Sequence, residues 1–461
     1  MGSSLSGHKR PAQRRSKREF PSRHWVPYPL GPPRGRGDQS GRVVKAVDLT
    51  SVLQPCGNFS HVPVVSWWVD CEFLPYDDSR LLTCIALHDL GGQGLPPNLP
   101  PCTTNGVINV WNLGKQNSVS SLAGCTTEIH RKSSLPHPHC QMAPDGSFVC
   151  YLESGGVIMR SINNVQQVYK REAFFRYGIY HYCTVSPDDK YLATITRQRH
   201  CFQLYVFSIQ HFYSYKEANC QDIFPEFQWD RHSRANNEQV ECRFSPDSQM
   251  IAVSSSSGQL FVARRSGLTL YRAALPGVCG QQASLAKPRT FDFDPRFGHE
   301  VLAACWSDQM LVVCNLERGT LAWKSHLPIS LGSPDCLKYN PEGTTLAVAG
   351  SQAKIGLFHS SNGEALVLLD GADQCVHFSM KQQPASGCYP TVLRLSFTYN
   401  ASHLAAASTD GFVRIWCLPR ISSLQSLCRL KILKHVPLDT VGKLPLPKKL
   451  TDYVLCNPMW S

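Results

Sequence analysis

Apolar and polar residues alternate along most of the chain in short runs that break at Pro and Asp. One run reads CTVSPDDKYLATIT from Cys183 to Thr196, and another reads CRFSPDSQMIAVS from Cys242 to Ser254. A period of two is typical of a β-strand with one buried face. Pro, Asp and Gly at the break are typical of a tight turn. The pattern therefore predicts antiparallel hairpins.

This hairpin occurs seven times between residues 43 and 418, each time with a third apolar strand after it. The turns lie at positions 75, 144, 187, 246, 295, 341 and about 400, which are 43 to 69 residues apart. One such sheet is too small to bury its own faces, and radial stacking of the units, as in a β-propeller, solves this problem. The sequence therefore predicts an all-β fold with a seven-bladed β-propeller over residues 43–420.

The seventh unit is short of a strand. After Trp416, Cys417 and Leu418, residues that predict a helix follow at once, so no fourth strand is available locally. An open sheet edge invites pairing, and closed rings avoid such edges. We expect the segment VVKAVDLT, which begins at Val43, to complete the seventh blade.

Two connections are longer than the rest. Residues 87–104 are Pro-rich and lie between the second and third strands of the first unit, and residues 208–238 carry six aromatic side chains. These aromatics are Phe212, Tyr213, Tyr215, Phe224, Phe227 and Trp229. Either segment can serve as a recognition loop. Ordinary loop growth, with the aromatics packed on an adjacent blade, is the favoured interpretation.

The last 41 residues change to a helical pattern. Leu424, Leu427, Cys428 and Ile432 follow the spacing of one helix face, and Pro437 ends that helix. Leu444-Pro445-Leu446-Pro447 then precedes a second apolar group at Leu450, Tyr453, Val454 and Leu455. Helices this short are marginal in water, so their apolar stripes need cover from this chain or from a partner.

The positive charge lies at the two ends of the chain. Of the net charge of +12, residues 1–42 contribute +8 and residues 421–461 contribute +4, which leaves the intervening region neutral. This distribution argues against nucleic-acid binding by the propeller. Residues 1–42 are rich in Arg, Pro, Gly and Ser, and we predict that they are disordered.

The first residues resemble a lipidation signal. Met-Gly-Ser-Ser-Leu-Ser fits the pattern for myristoylation at Gly2, and a basic cluster follows it. An acyl chain with such a cluster can hold a protein on an acidic membrane. The alternatives are a basic tail with a chance match and a nuclear-import signal.

The remaining composition indicates a non-enzymatic cytoplasmic protein. The chain has twenty cysteines but no Cys-x-x-Cys pair, no secretory signal and no apolar run long enough to span a membrane. His130, His137, His139 and Cys140 resemble a metal site in composition alone, because their spacing matches no ligand pattern. We find no nucleotide-binding or hydrolase motif. We therefore expect no metal, no cofactor and no catalytic residue.

The hairpin units resemble the WD-repeat propellers. The clearest match is STDGFVRIWCL, which begins at Ser408, and TNGVINVWNL, which begins at Thr104, is second. The other five units lack the Trp-Asp ending and the Gly-His pair of the family, so the family pattern does not define the edges of these blades.

The C-terminal 41 residues resemble a SOCS box, with a BC-box at 423–432 and a cullin box at 444–447. The resemblance implies that Leu424, Leu427, Cys428 and Ile432 bind the elongin B/C dimer. It also implies that Leu444, Pro445, Leu446 and Pro447 help to bind cullin-5 with its RING-box protein. The chain is then expected to be the substrate receptor of a ubiquitin ligase, with an unknown target on the propeller rim. The alternative is a scaffold propeller, tethered to a membrane through Gly2, with no role in ubiquitin transfer.

Overall fold

The computed structural model describes the strands of the propeller, most of their turns and a short part of the C-terminal region. The described residues are 43–48, 66–75, 77–88, 106–113, 125–131, 139–153, 156–162, 168–172, 179–197, 201–210, 222–223, 229–230, 240–255, 259–265, 269–272, 288–370, 390–418, 444–447 and 450.

The described strands form seven antiparallel sheets, six with four strands and one with five, which confirms the predicted all-β propeller with seven blades. Blades 1 to 7 are numbered along the chain. The strands are β1 Val43–Asp48, β2 Ser66–Leu74, β3 Asp77–His88, β4 Gly106–Asn112, β5 Cys125–Arg131, β6 Cys140–Met142, β7 Phe148–Glu153, β8 Gly156–Ser161, β9 Val168–Glu172, β10 Ile179–Val185, β11 Tyr191–Arg197, β12 Cys201–Ser208, β13 Asp222–Ile223, β14 Trp229–Asp230, β15 Val240–Phe244, β16 Met250–Ser255, β17 Gln259–Arg264, β18 Thr269–Arg272, β19 Pro288–Phe293, β20 Val301–Trp306, β21 Met310–Asn315, β22 Thr320–His326, β23 Pro334–Tyr339, β24 Thr345–Gly350, β25 Lys354–His359, β26 Ala365–Asp370, β27 Val392–Phe397, β28 His403–Ser408 and β29 Phe412–Cys417.

The seventh blade closes as predicted. Its sheet has the order β1-β29-β28-β27, so the strand from near the N-terminus is the outermost strand of the last blade. Val47 pairs with Val413 and Asp48 pairs with Phe412 in an antiparallel register. The ring is therefore held shut by main-chain hydrogen bonds between the two ends of the propeller.

The turn between the first and second strands has the same construction in several blades. The residue before the turn position carries a hydroxyl or amide that accepts the N–H of the residue five positions later. Ser245 accepts from Met250, and Asn340 accepts from Thr345. The residue two positions after the turn position is in the left-handed conformation, as at Ser248 with φ +60° and Gly343 with φ +69°. The Pro/Asp signal in the sequence therefore marks a real structural unit.

The core is divided among seven apolar clusters, each between two successive blades. Blade 7 packs on blade 1 through Ala405 and Val413 against Val69 and Phe73, which completes the ring. The other clusters join blades 1 and 2, 2 and 3, 3 and 4, 4 and 5, 5 and 6, and 6 and 7. No blade is a separate folding unit, because each buries its faces only against its neighbours.

The two long connections differ in how much of them the structure describes. Within 208–238, β13 and β14 both pair with β12, so part of this segment supplies the outer strand of blade 3. The interior of the 87–104 connection lies outside the described residues. Of the chain that the structure does describe, no helix is both long and apolar enough to cross a membrane.

Candidate binding site at the centre of the propeller

The first strands of the blades place two rings of polar residues around the propeller axis. Neighbouring first strands contact each other, for example β19 with β23 and β23 with β27. Ring 1 lies five residues before the turn position, which is Tyr399 in blade 7, and comprises Asp70, His139, Tyr182, Glu241, Thr290, Cys336 and Arg394. Ring 2 lies three residues before it and comprises Glu72, Gln141, Thr184, Arg243, Asp292, Lys338 and Ser396.

Arg394 joins blades across the axis. Its Nε lies 3.5 Å from Asp70 Oδ1 in blade 1, and its Nη1 lies 3.2 Å from Glu241 Oε1 in blade 4. Its guanidinium also lies over the ring of Tyr182 in blade 3, at 5.7 Å from the centroid. Arg394 belongs to blade 7, three blades from Glu241, so this contact crosses the centre of the ring.

Ion pairs continue from Glu241 into blades 5 and 6. Arg243 Nη2 lies 2.5 Å from Glu241 Oε1, and Arg243 Nη1 lies 2.8 Å from Asp292 Oδ1. Lys338 Nζ reaches the same oxygen of Asp292 at 3.5 Å. Asp70, Glu241 and Asp292 thus face Arg243, Lys338 and Arg394, and the six charges balance.

Several side chains of ring 2 also join neighbouring blades, because each accepts a main-chain N–H of the next blade. Glu72 Oε2 accepts the N–H of Met142 at 2.8 Å, and Gln141 Oε1 accepts the N–H of Val185 at 2.9 Å. The same contact joins Asp292 to Tyr339, and Ser396 closes the ring by accepting the N–H of Phe73. These bonds satisfy main-chain donors that the inter-blade packing would otherwise bury unpaired.

Burial and the ion pairs act in opposite directions on the acidic groups. Burial raises the pKa of Asp70, but Arg394 and the hydrogen bond from His139 outweigh it, so the pKa lies below its usual value. Burial alone dominates at Glu72 and raises the pKa of its carboxyl to about 7. Burial likewise lowers the pKa of His139 despite its contact with Asp70.

The contacts of His139 hold the residues of ring 1 together. His139 Nδ1 lies 3.0 Å from Asp70 Oδ2, and its ring stacks on Tyr182 with centroids 4.0 Å apart. The histidine that resembled a metal ligand in the sequence therefore belongs to ring 1. Among the described residues, no group of three or more His, Cys, Asp or Glu side chains is placed to hold a metal ion.

The predicted SOCS-box residues are described only in part. Leu424, Leu427, Cys428 and Ile432 lie outside the described residues, as does Gly2. Leu444 and Leu446 are half-buried, whereas Pro445 and Pro447 are exposed. The elongin-binding and cullin-binding assignments stay predictions.

The two rings were missed in the sequence, although a signal for them exists. When the units are aligned on the turn, the positions three and five residues earlier are polar in most blades, within strands that are otherwise apolar. Buried charges are rare unless they are paired, so this recurrence predicts a shared polar centre.

Comparison with known families supports both parts of the architecture. The profile of the WD domain, G-beta repeat, matches residues 383–417, which contain three of the four strands of blade 7, β27 to β29. The SOCS box profile matches residues 420–455, beginning two residues after Leu418. Leu418, the last described residue before this match, is buried, and its N–H donates to Ser402 O.

Curated proteins that are similar to this chain are named for both the WD repeat and the SOCS box. The chain is 42% identical over 60 residues to "WD repeat and SOCS box-containing protein 1" of Homo sapiens, which is 13% of this chain and 14% of the relative. It is 39% identical over 75 residues to the protein of the same name from Danio rerio, which is 16% and 18% of the two chains. The aligned part thus spans under a fifth of these relatives.

Proposed function

We propose, from the premise that this chain is a WD-repeat and SOCS-box protein, that it is the substrate receptor of a SOCS-box ubiquitin ligase. The observation that carries the proposal is the SOCS box match at 420–455, directly after a closed propeller. A rigid propeller can hold a target protein, and the box can recruit the transfer machinery. Catalysis by such an adaptor comes from proximity, because a target lysine is held near the loaded conjugating enzyme.

The first half of the box is assigned to the elongin B/C dimer. Leu424, Leu427, Cys428 and Ile432 form one apolar stripe at helical spacing. So short a helix is stable only when its apolar stripe is buried against another surface, and we assign that surface to elongin C.

The second half is assigned to cullin-5 with its RING-box protein. Leu444, Pro445, Leu446 and Pro447 have the Leu-Pro-Leu-Pro form that resembles the cullin-5 version of the cullin box. The target protein would bind the propeller rim, where turns and connections from several blades meet.

Co-purification with elongin B/C tests the proposal. We expect the full-length chain to retain both elongins, and we expect Leu424→Pro with Cys428→Phe to lose them. Pro removes the leucine side chain from the stripe, and Phe is too large for a site that fits Cys. Ser426→Ala is the matched control, because helical spacing places Ser426 opposite the stripe.

The alternative function gives a different result. A scaffold propeller without a role in ubiquitin transfer would purify without elongins in every variant. Its membrane tether would be Gly2, and N-terminal mass spectrometry reports acylation there directly. An unmodified Gly2 would remove the tether and would leave the ligase proposal unchanged.

A further inference from the structure

Blades 4 and 5 are joined by a histidine that lies between two carboxylates. His299 belongs to the turn between β19 and β20 of blade 5. Its Nδ1 contacts Asp247 Oδ2 in the equivalent turn of blade 4, and its Nε2 lies 2.7 Å from Glu317 Oε1 in the connection between β21 and β22. These three connections lie at the same end of the blades, because each sheet is an antiparallel meander. One imidazole ring thus joins two blades through both of its nitrogens.

The two contacts together define the charge of the ring. A neutral imidazole carries one N–H, whereas the imidazolium donates from both nitrogens. An ionised carboxylate only accepts hydrogen bonds, so a neutral ring would turn one nitrogen lone pair toward a carboxylate oxygen. The arrangement is therefore complete only when His299 carries a proton on each nitrogen.

The groups on both sides of this contact are fixed by their own turns. Asp247 Oδ1 accepts the N–H of Gln249 at 3.1 Å, so Oδ2 is the oxygen that faces His299. In blade 5, the N–H of Glu300 donates to Phe297 O at 3.0 Å across His299. Little backbone freedom is therefore lost when the ion pairs form.

The charged groups that face His299 come from three elements. Asp247 and Glu317 contact it directly, and Arg264 at the end of β17 lies 3.8 Å from Glu317. The His299 side chain is 23% exposed, against 42% for Glu317 and 48% for Arg264, so the histidine is shielded more than the groups around it. Burial lowers the pKa of His299, but the two carboxylates outweigh it, so this pKa lies above its usual value.

The neighbouring junctions at this end of the propeller use cations of constant charge. Between blades 3 and 4, Arg265 Nη1 lies 3.9 Å from Asp188 Oδ2. Between blades 5 and 6, Arg296 Nη2 donates to Ser360 Oγ at 3.0 Å. Arginine stays charged in proteins, whereas histidine changes its charge near neutral pH. The junction of blades 4 and 5 is therefore the one of these three whose central cation can lose a proton.

We propose that His299 is a pH-sensitive latch between blades 4 and 5, closed by the imidazolium and released when the ring loses a proton. Release leaves Asp247 Oδ2 without the imidazolium and Glu317 with the more distant Arg264. The latch is complete below the usual pKa of histidine, and its contribution to stability is lost as the pH rises through the higher pKa of the folded chain.

NMR of the histidine rings in the full chain tests the charge state. The resonance that is missing from His299→Gln identifies the ring, and its titration midpoint in the wild type is expected above pH 6.5, the usual pKa of histidine. Glu317→Gln removes one carboxylate and is expected to lower this midpoint by about 0.5 pH unit. A wild-type midpoint at or below pH 6.5 would overturn the proposal, and so would a midpoint that Glu317→Gln leaves unchanged.

Thermal unfolding of the full chain tests the latch itself. His299→Gln is expected to lower the melting temperature by about 1–2 °C at pH 6, with a smaller effect at pH 9, where the wild-type ring has lost its proton. Arg296→Gln is the matched control at the junction of blades 5 and 6, and it should lower the melting temperature equally at both pH values. An equal loss at pH 6 and pH 9 in His299→Gln would assign the histidine a packing role alone and would exclude the latch.

Discussion

At the scale of single residues, two tryptophans at equivalent positions of blades 1 and 7 differ in their hydrogen bonding. Trp111 Nε1 in blade 1 donates to Thr83 Oγ1 at 2.7 Å. Trp416 in blade 7 is 1% exposed, and its Nε1 has no acceptor among the described residues. Trp111 pairs with Leu81 and Trp416 pairs with Leu404, so Ala406 occupies the position of Thr83.

This difference predicts a stabilising substitution. Ala406→Ser places a hydroxyl where Trp416 Nε1 can donate to it, and we expect about 1 kcal/mol of added stability in urea unfolding. Thr83→Val is the reverse change and should cost about 1–3 kcal/mol. Ala405→Ser, on the opposite face of β28, is the control and should not stabilise. An equal gain in both serine variants would contradict the explanation.

Arg394 is predicted to contribute more to stability than its partial exposure suggests. Arg394→Met leaves the buried carboxylate of Asp70 without its arginine, whereas Glu241 keeps Arg243, and breaking a buried ion pair costs about 3–5 kcal/mol. Glu241→Gln in the same chain removes one of these charges and should restore part of the loss. Arg318, which is exposed, provides the control Arg318→Met. If the two arginine variants unfold at the same urea concentration, the ion pairs of Arg394 in ring 1 do not stabilise the fold.

Glu72 predicts a specific dependence of stability on pH. Its pKa in the folded chain is about 7, against 4.5 as the usual value. The carboxyl ionises in the unfolded chain above pH 4.5 but in the folded chain only near pH 7, so stability is lost over this interval and stays lost above it. Glu72→Gln still accepts the N–H of Met142 and carries no charge. We expect it to raise the melting temperature at pH 8 and to match wild type at pH 4. A shift of equal size at both pH values would exclude ionisation as the cause.

At the scale of elements, the closing strand β1 is the most consequential. It supplies the outer edge of blade 7, and its loss would expose the main-chain groups of β29. Deletion of residues 1–48 is expected to lower the melting temperature by about 10 °C or more and to promote aggregation. Deletion of residues 1–42 keeps β1 intact and should behave as the full chain in the same thermal scan. A similar loss in both deletions would assign the effect to the basic segment instead.

The elements were predictable from the sequence to the extent that their signals are local. Alternation and the turn residues lie within about 15 residues of each other, so all seven units were found and the closing strand was assigned correctly. The contact between Arg394 and Glu241 spans 153 residues and depends on the radial order of the first strands. The recurrence of polar residues three and five positions before each turn indicates a shared polar centre, but no local pattern shows which of these residues pair across it. The outer strand of blade 3 was missed because β13 and β14 are two residues each.

At the scale of the whole molecule, the propeller and the C-terminal box occupy different parts of the sequence and differ in net charge. The region between residues 43 and 420 is neutral, whereas residues 421–461 carry +4. Each of the seven interfaces between blades is formed by propeller strands and their flanking residues, including the one that joins blades 7 and 1. The described core therefore closes without any residue beyond Leu418.

This closure predicts that the propeller is stable without the box. A chain that ends at residue 420 retains Leu418, which is buried and bonded to Ser402 O. We expect its melting temperature to lie within about 2 °C of that of the full chain, because no inter-blade contact is removed, and we expect complete loss of elongin B/C.

A chain that ends at residue 415 is the matched control, since it also loses Trp416 and Leu418 from the cluster between blades 6 and 7. That chain should lose several kcal/mol of stability, because large buried side chains contribute about 3–5 kcal/mol each. If ending the chain at residue 420 is as damaging as ending it at 415, the apolar stripes of the C-terminal helices dock on the propeller itself. They would then be covered within this chain, and the ligase proposal would lose its physical basis.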